Sequence, residues 1–190
     1  MLGLIVILAL GAVGLVYAVG IYNGLVGLRD GVKSAWADID VLLNQRHDEL
    51  PELIESCKRY MQFEQETFAR VLRARGAISQ ASATGNVAAV SAGEQQLRAG
   101  MGRLFAVAES YPQLKSDESF QQLRSRIIGI EAAIADRCEL YNEQVNLNNI
   151  RVSVLPDAML ARWFGFKPAH SLDFLGDERR DVDVGAPFRA

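Results

Sequence analysis

The first twenty-eight residues contain no Asp, Glu, Lys or Arg. Within them the run Leu2–Tyr22 reads LGLIVILALGAVGLVYAVGIY. At about 1.5 Å per residue, a helix over this run is roughly 30 Å long, the thickness of a bilayer's hydrocarbon core. Tyr17 and Tyr22 fall towards its downstream end, where amphipathic rings favour the membrane–water interface. A cleaved signal peptide is the competing reading, and Ala18-Val19-Gly20 would suit a cleavage site. No Lys or Arg precedes the run, however, and it is longer than a signal core. The expectation is therefore a retained anchor over residues 1–23, with the lipid bilayer as its first partner.

Composition narrows the function classes. The net charge of −3 supplies no basic field, so a nucleic-acid partner is not expected. The two cysteines, Cys57 and Cys138, match no metal or redox spacing, and each falls on an apolar helical face. A disulfide would need their Cα atoms within about 7 Å. No phosphate loop, GxGxxG, nucleophile elbow or Glu-x-x-His pair occurs. The expectation is no catalytic site, no cofactor and no metal. His47 lies on an apolar stripe and reads as a satisfied core or edge histidine. Asp38 and Asp40 point roughly 200° apart on a helix and cannot share a proton.

Beyond the anchor, helical periodicity dominates. Leu25, Leu28, Val32, Trp36, Ile39, Leu43, Leu50, Ile54, Cys57 and Met61 step with a period near 3.6, and no turn signal separates them from the apolar run. Pro51 lacks an N–H, so a kink or short break is expected there. A second helix is expected from about Glu64 to Ala81, and a third, capped by Asn86, to about Ser110. Tyr111-Pro112 closes it, and Ser116 or Asp117 caps a long helix with the stripe Phe120, Leu123, Ile127, Ile130, Ile134, Cys138, Tyr141, Val145 and Val152. The fold class expected is all-α: an N-terminal transmembrane helix continuing into an antiparallel three- or four-helix bundle over residues 24–156. Residues 157–175 form a short amphipathic segment. Residues 176–190 are charged and aperiodic, and read as a disordered tail.

Three groups of residues carry the functional expectations. Asp40, Arg46, Glu131 and Arg137 flank the core stripes and are candidates for register-fixing ion pairs. Gly20, Gly24, Gly27 and Gly31 fall within roughly 60° of one another at about 100° per residue, and the chain's apolar stripe is centred roughly 110° away. That glycine face is expected to pack another copy of the chain. Trp163 and Phe164, flanked by Arg162 and Lys167, read either as a membrane-interface segment or as a plug closing the bundle's end, the plug being preferred.

With these residues laid out, the chain resembles the LemA family of bacterial membrane proteins. The resemblance runs from the anchor to about Phe166. Tyr22-Asn23, Leu25-Val26 and Leu28 look like the family's opening. Ala35–Leu43, AWADIDVLL, then Arg46 and Pro51, look like its most recognisable block, continued by Tyr60, Glu64 and Arg75. Tyr111-Pro112-Gln113-Leu114-Lys115 resembles its YPxLK joint. Phe120, Leu123, Glu131, Arg137, Tyr141-Asn142, Val145 and Asn148 resemble its last long helix, and Gly165-Phe166 its end. Asn44-Gln45, His47-Asp48-Glu49 and Asn146-Leu147-Asn148 depart from the pattern, which bears on local contacts rather than on the fold. The resemblance implies an anchored helical bundle in the bacterial inner membrane and carries no enzymatic activity. Some relatives belong to the magnetosome organelle membrane, which implies scaffolding at membranes. The leading expectation is a self-associating scaffold, a homo-oligomer. The alternative is a subunit serving another membrane protein, such as a protease. An enzyme with a site between helices would need convergent titratable groups, and only scattered ones occur. Arg29 and Lys33 after the anchor place the helical domain in the cytoplasm, with the periplasm as the alternative.

Overall fold

A computed structural model describes residues 2–172. Among them every regular element is a helix: α1 (Leu2–Lys58), α2 (Gln65–Ala83), α3 (Val87–Ala108), α4 (Pro112–Lys115), α5 (Glu118–Ser153) and α6 (Asp157–Phe164). The expected tail over 176–190 lies outside the described residues. The caps follow the local chemistry. The Asn86 side chain accepts from the Ala89 N–H at 3.1 Å and starts α3. Asp117, rather than Ser116, starts α5 by accepting from the Phe120 N–H at 2.9 Å. Gly165, at φ 73°, ends α6 in the left-handed region that a side chain would resist.

α1 runs through Pro51 without a break, so of the two expectations there the break does not occur. The missing N–H of Pro51 would normally have bonded the carbonyl of His47. Arg75, on α2, supplies the substitute: its Nε donates to the His47 carbonyl oxygen at 2.9 Å. The backbone acceptor stays satisfied, and the helix continues.

The chain forms two compact units, to both of which α1 and α5 contribute. One unit is built chiefly from Ile39–Cys138. Its core gathers Ile39, Leu43, Leu50, Ile54, Cys57 and Met61, then Phe68, Val71 and Ile78 from α2, Leu97 and Leu104 from α3, and Phe120, Ile127 and Ile134 from α5. The apolar stripes read from the sequence are thus the buried ones. α2 and α3 lie antiparallel and very close. A Cβ on Gly93 would come within 2.7 Å of Ile78 Cγ1, and one on Gly100 within 3.2 Å of Val71 Cγ2. Both cysteines are buried in this unit and both are free. Burial pushes each thiol up to about 12.

The other unit joins Met1–Asp38 to Glu139–Ser171. Here α1 and α5 run antiparallel. Gly24 lies under the Arg151 side chain and Gly31 under Gln144, so seven residues down α1 match seven up α5. Trp36 packs against Tyr141 with ring centroids 5.9 Å apart. The Tyr141 hydroxyl donates to the His170 carbonyl at 2.9 Å, and Asn149 exchanges two hydrogen bonds with the Ala169 backbone, which pin the chain after α6 onto α5.

Candidate membrane interface and buried charge cluster

The apolar run forms the first part of α1. Its most apolar window has a mean hydropathy of 2.7 and is 6% buried, so by length and composition this helix can cross a membrane. Tyr17 is exposed on it. At its downstream end Ile21 and Leu25 are buried against Ala161 of α6, with Val152, Leu160 and Phe166 around them. Tyr22 stacks edge-on to Phe164 at 4.8 Å and to Phe166 at 5.9 Å, and the Arg29 guanidinium lies over the Phe166 ring at 5.4 Å.

The plug reading of α6 fails at its largest side chain. Trp163 is 86% exposed, because α6 turns its small residues Ala158 and Ala161 inward and leaves the tryptophan on the opposite face. Phe164 meets Tyr22 edge-on yet stays 55% exposed, and Phe166, beyond α6, is the aromatic that joins the Ile21 and Leu25 cluster.

The glycine face also needs correcting. Two of its four members face the chain's own α5, since a Cβ on Gly24 would lie 3.1 Å from Arg151 Nη2 and one on Gly31 would lie 2.9 Å from Gln144 Oε1. Long polar side chains of α5 reach over the small residues, which makes the contact face of α1 wider than its apolar stripe. Around Gly20 and Gly27 the space is open.

The second feature is a cluster of charges inside the Ile39–Cys138 unit. Arg46 of α1 is 1% exposed and Glu94 of α3 is 0% exposed, and the two are in direct contact. Arg46 Nη1 donates to Glu131 Oε1 of α5 at 2.6 Å, and Arg98 lies 3.5 Å from the other Glu131 oxygen. One guanidinium thus ties three helices. Burial pushes Glu94 above the usual carboxylate range, and the Arg46 charge opposes that. For Arg46, burial acts downward, but the two carboxylates prevail and hold it above its ordinary value. Removing any one partner would strand a buried charge, which is far costlier than replacing the set with apolar side chains. A second pair, Glu49 with Arg126 at 2.6 Å, lies on the same two helices, α1 and α5.

Of the four residues expected in ion pairs, Arg46 and Glu131 meet each other. Asp40 instead accepts hydrogen bonds from Ser82 and, at 3.3 Å, from Asn44. Arg137 is exposed and makes no ion pair among the described residues, because its position on α5 points away from the core. Glu94 was the partner that sequence reasoning missed. It falls at helical spacing with Val90, Leu97, Met101 and Leu104, and a carboxylate on an apolar stripe was the available signal. His47 is half-buried, and burial and the neighbouring Arg75 lower its pKa. Among the described residues no three His, Cys, Asp or Glu side chains converge as a metal site would require.

Among the described residues, fold and site together define an all-helical protein with one candidate membrane helix and a helical bundle keyed by buried charge. The chain belongs to the LemA family, whose model matches residues 35–185. That match starts after the apolar run and extends past Phe166, where the sequence resemblance was expected to end. Over 69 residues the chain is 36% identical to magnetosome protein MamQ 2 of Paramagnetospirillum magneticum, covering 36% of this chain and 25% of that protein. Over 171 residues it is 22% identical to magnetosome protein MamQ of Magnetospirillum gryphiswaldense, covering 77% of this chain and 62% of that one. The chain therefore spans less than two thirds of the length of these relatives.

Proposed function

We propose that this protein is a non-catalytic scaffold of the bacterial cell envelope, held in the inner membrane by a single span and self-associating through it. The observation that carries the membrane seat is Leu2–Tyr22, a charge-free helical run whose large apolar side chains from Leu2 to Val19 are exposed among the described residues. Left in water, so large an apolar surface would be strongly unfavourable. Membership of the LemA family and likeness to magnetosome proteins favour the same setting. Basic residues at the exit, Arg29 and Lys33, favour a cytoplasmic bundle. Self-association rests on Gly20 and Gly27. Seven residues apart, they share one face of α1, and among the described residues a Cβ on either would meet open space.

The test is the size and composition of full-length protein purified in mild detergent. A homogeneous particle made of several copies of this chain alone is the expected result. Substituting Gly20→Leu and Gly27→Leu together should reduce that particle towards one copy at unchanged helix content. A small particle that brings another membrane protein with it would favour the accessory-subunit reading instead. An unchanged particle after the double substitution would remove the glycine face from the account.

A further inference from the structure

We infer that α6 and the turn before it form a second membrane contact, lying in the headgroup region of the leaflet from which α1 emerges. This rests on reading Leu2–Tyr22 as a membrane span. The register between α1 and α5 sets the depth. Val152, in the last turn of α5, packs against the Ile21 and Leu25 cluster, so Val154, one residue past the end of α5, follows directly after a residue held at the downstream end of the apolar run. The inner face of α6 is fixed at that height by Ala161 against Ile21 and Leu25 and by Phe164 against Tyr22.

What α6 and the turn before it leave exposed is largely apolar. Val154, Leu155, Met159 and Trp163 are 54%, 70%, 68% and 86% exposed, and the last two are four residues apart on one helical face. Arg162 and Lys167 border this surface, are exposed, and make no ion pair among the described residues. Arg151, by contrast, is held by Asp157. An amphipathic ring beside free cations and uncovered aliphatic side chains, at the height where a span leaves the bilayer, matches an interfacial segment. Lipid suits this surface better than a second copy does. In a two-fold contact the same surface would have to answer Arg162 and Lys167, and the one acid within residues 154–167, Asp157, is already held by Arg151.

The chain has two tryptophans, so Trp36→Phe leaves Trp163 as the only indole reporter. The full-length variant is reconstituted in vesicles of phosphatidylcholine and phosphatidylglycerol carrying a nitroxide lipid, labelled either near the headgroup or at the chain end. Trp163 emission should be blue-shifted and largely lost to the headgroup-proximal label, with little loss to the chain-end label. Adding Leu155→Asp and Met159→Asp, both at exposed positions, should abolish that loss at unchanged helix content; quenching that survives them overturns the proposal. Water-like emission quenched by neither label, from chain that still sediments with the vesicles through alkaline carbonate, overturns the α6 contact and leaves the anchor standing. Chain that fails to sediment overturns the anchor, and the α6 contact with it. Blue-shifted emission that ignores both labels and reverts as protein is diluted in lipid assigns the surface to a second copy, and also overturns the proposal.

Discussion

Pro51 would ordinarily cost a helix interior about 3 kcal/mol or more, through a lost hydrogen bond and a clash with the carbonyl one turn back. The Arg75 guanidinium takes over that carbonyl, on His47, at 2.9 Å. The two residues should therefore be coupled. Arg75→Met is expected to lower stability by about 1.5–3 kcal/mol, the range for hydrogen bonds to charged groups. In a Pro51→Ala background the loss should be smaller, because the backbone N–H of residue 51 then serves the same acceptor. A double-mutant cycle by urea denaturation measures this, and losses that add without coupling would show that Arg75 acts elsewhere. Asp117 gives a pH handle. Its carboxylate accepts from the Phe120 N–H and from the Tyr60 hydroxyl, at 2.9 and 3.0 Å, and these bonds hold it below the usual aspartate range. A group whose folded pKa is depressed stabilises the fold above its unfolded pKa and ceases to do so as pH falls through the folded one. Asp117→Ala should therefore be less stable than the parent at neutral pH. Thermal melts taken down the acid range should show the gap closing only below the ordinary aspartate pKa of 3.8.

Among the helices, α2 and α3 are set apart by how closely they approach. Gly93 and Gly100 sit seven residues apart on the inner face of α3, and the room a side chain would need is already taken by Ile78 and Val71. Gly129, in the middle of α5, has open space where its Cβ would be. Opposite outcomes follow from the same residue type. Gly93→Leu should destabilise by about 1–3 kcal/mol through overpacking. Gly129→Ala should stabilise by up to about 1 kcal/mol through helix propensity alone. Denaturant midpoints of the two variants check both signs at once.

At the scale of the whole molecule, the proposed span predicts a cytoplasmic bundle. Cys57 and Cys138 are buried with thiols pushed up to about 12, so neither should react with a maleimide while the protein is folded. A cysteine placed at Ala190 would then be the one reactive thiol. With a cytoplasmic bundle, a membrane-impermeant maleimide should label Ala190→Cys in lysed cells and not in intact ones. Labelling on intact cells would put the bundle in the periplasm.

The all-α class, the caps at Asn86 and Asp117 and the apolar stripes were legible in the sequence because each depends on neighbours within one or two helical turns. So was the apolar run, since spanning a bilayer depends only on length and the absence of charge. The register that pairs Arg46 with Glu94 and Glu131 was not, because which charges meet depends on how helices distant in the chain align. The same holds for the rescue of Pro51 by Arg75, and for Gly24 and Gly31 lying beneath α5. Trp163 shows the limit most directly. Local pattern marks it as one end of an amphipathic segment, but whether it plugs the bundle or faces outward is decided only when Ala161 seats on Ile21 and Leu25 and takes up the inner face of α6.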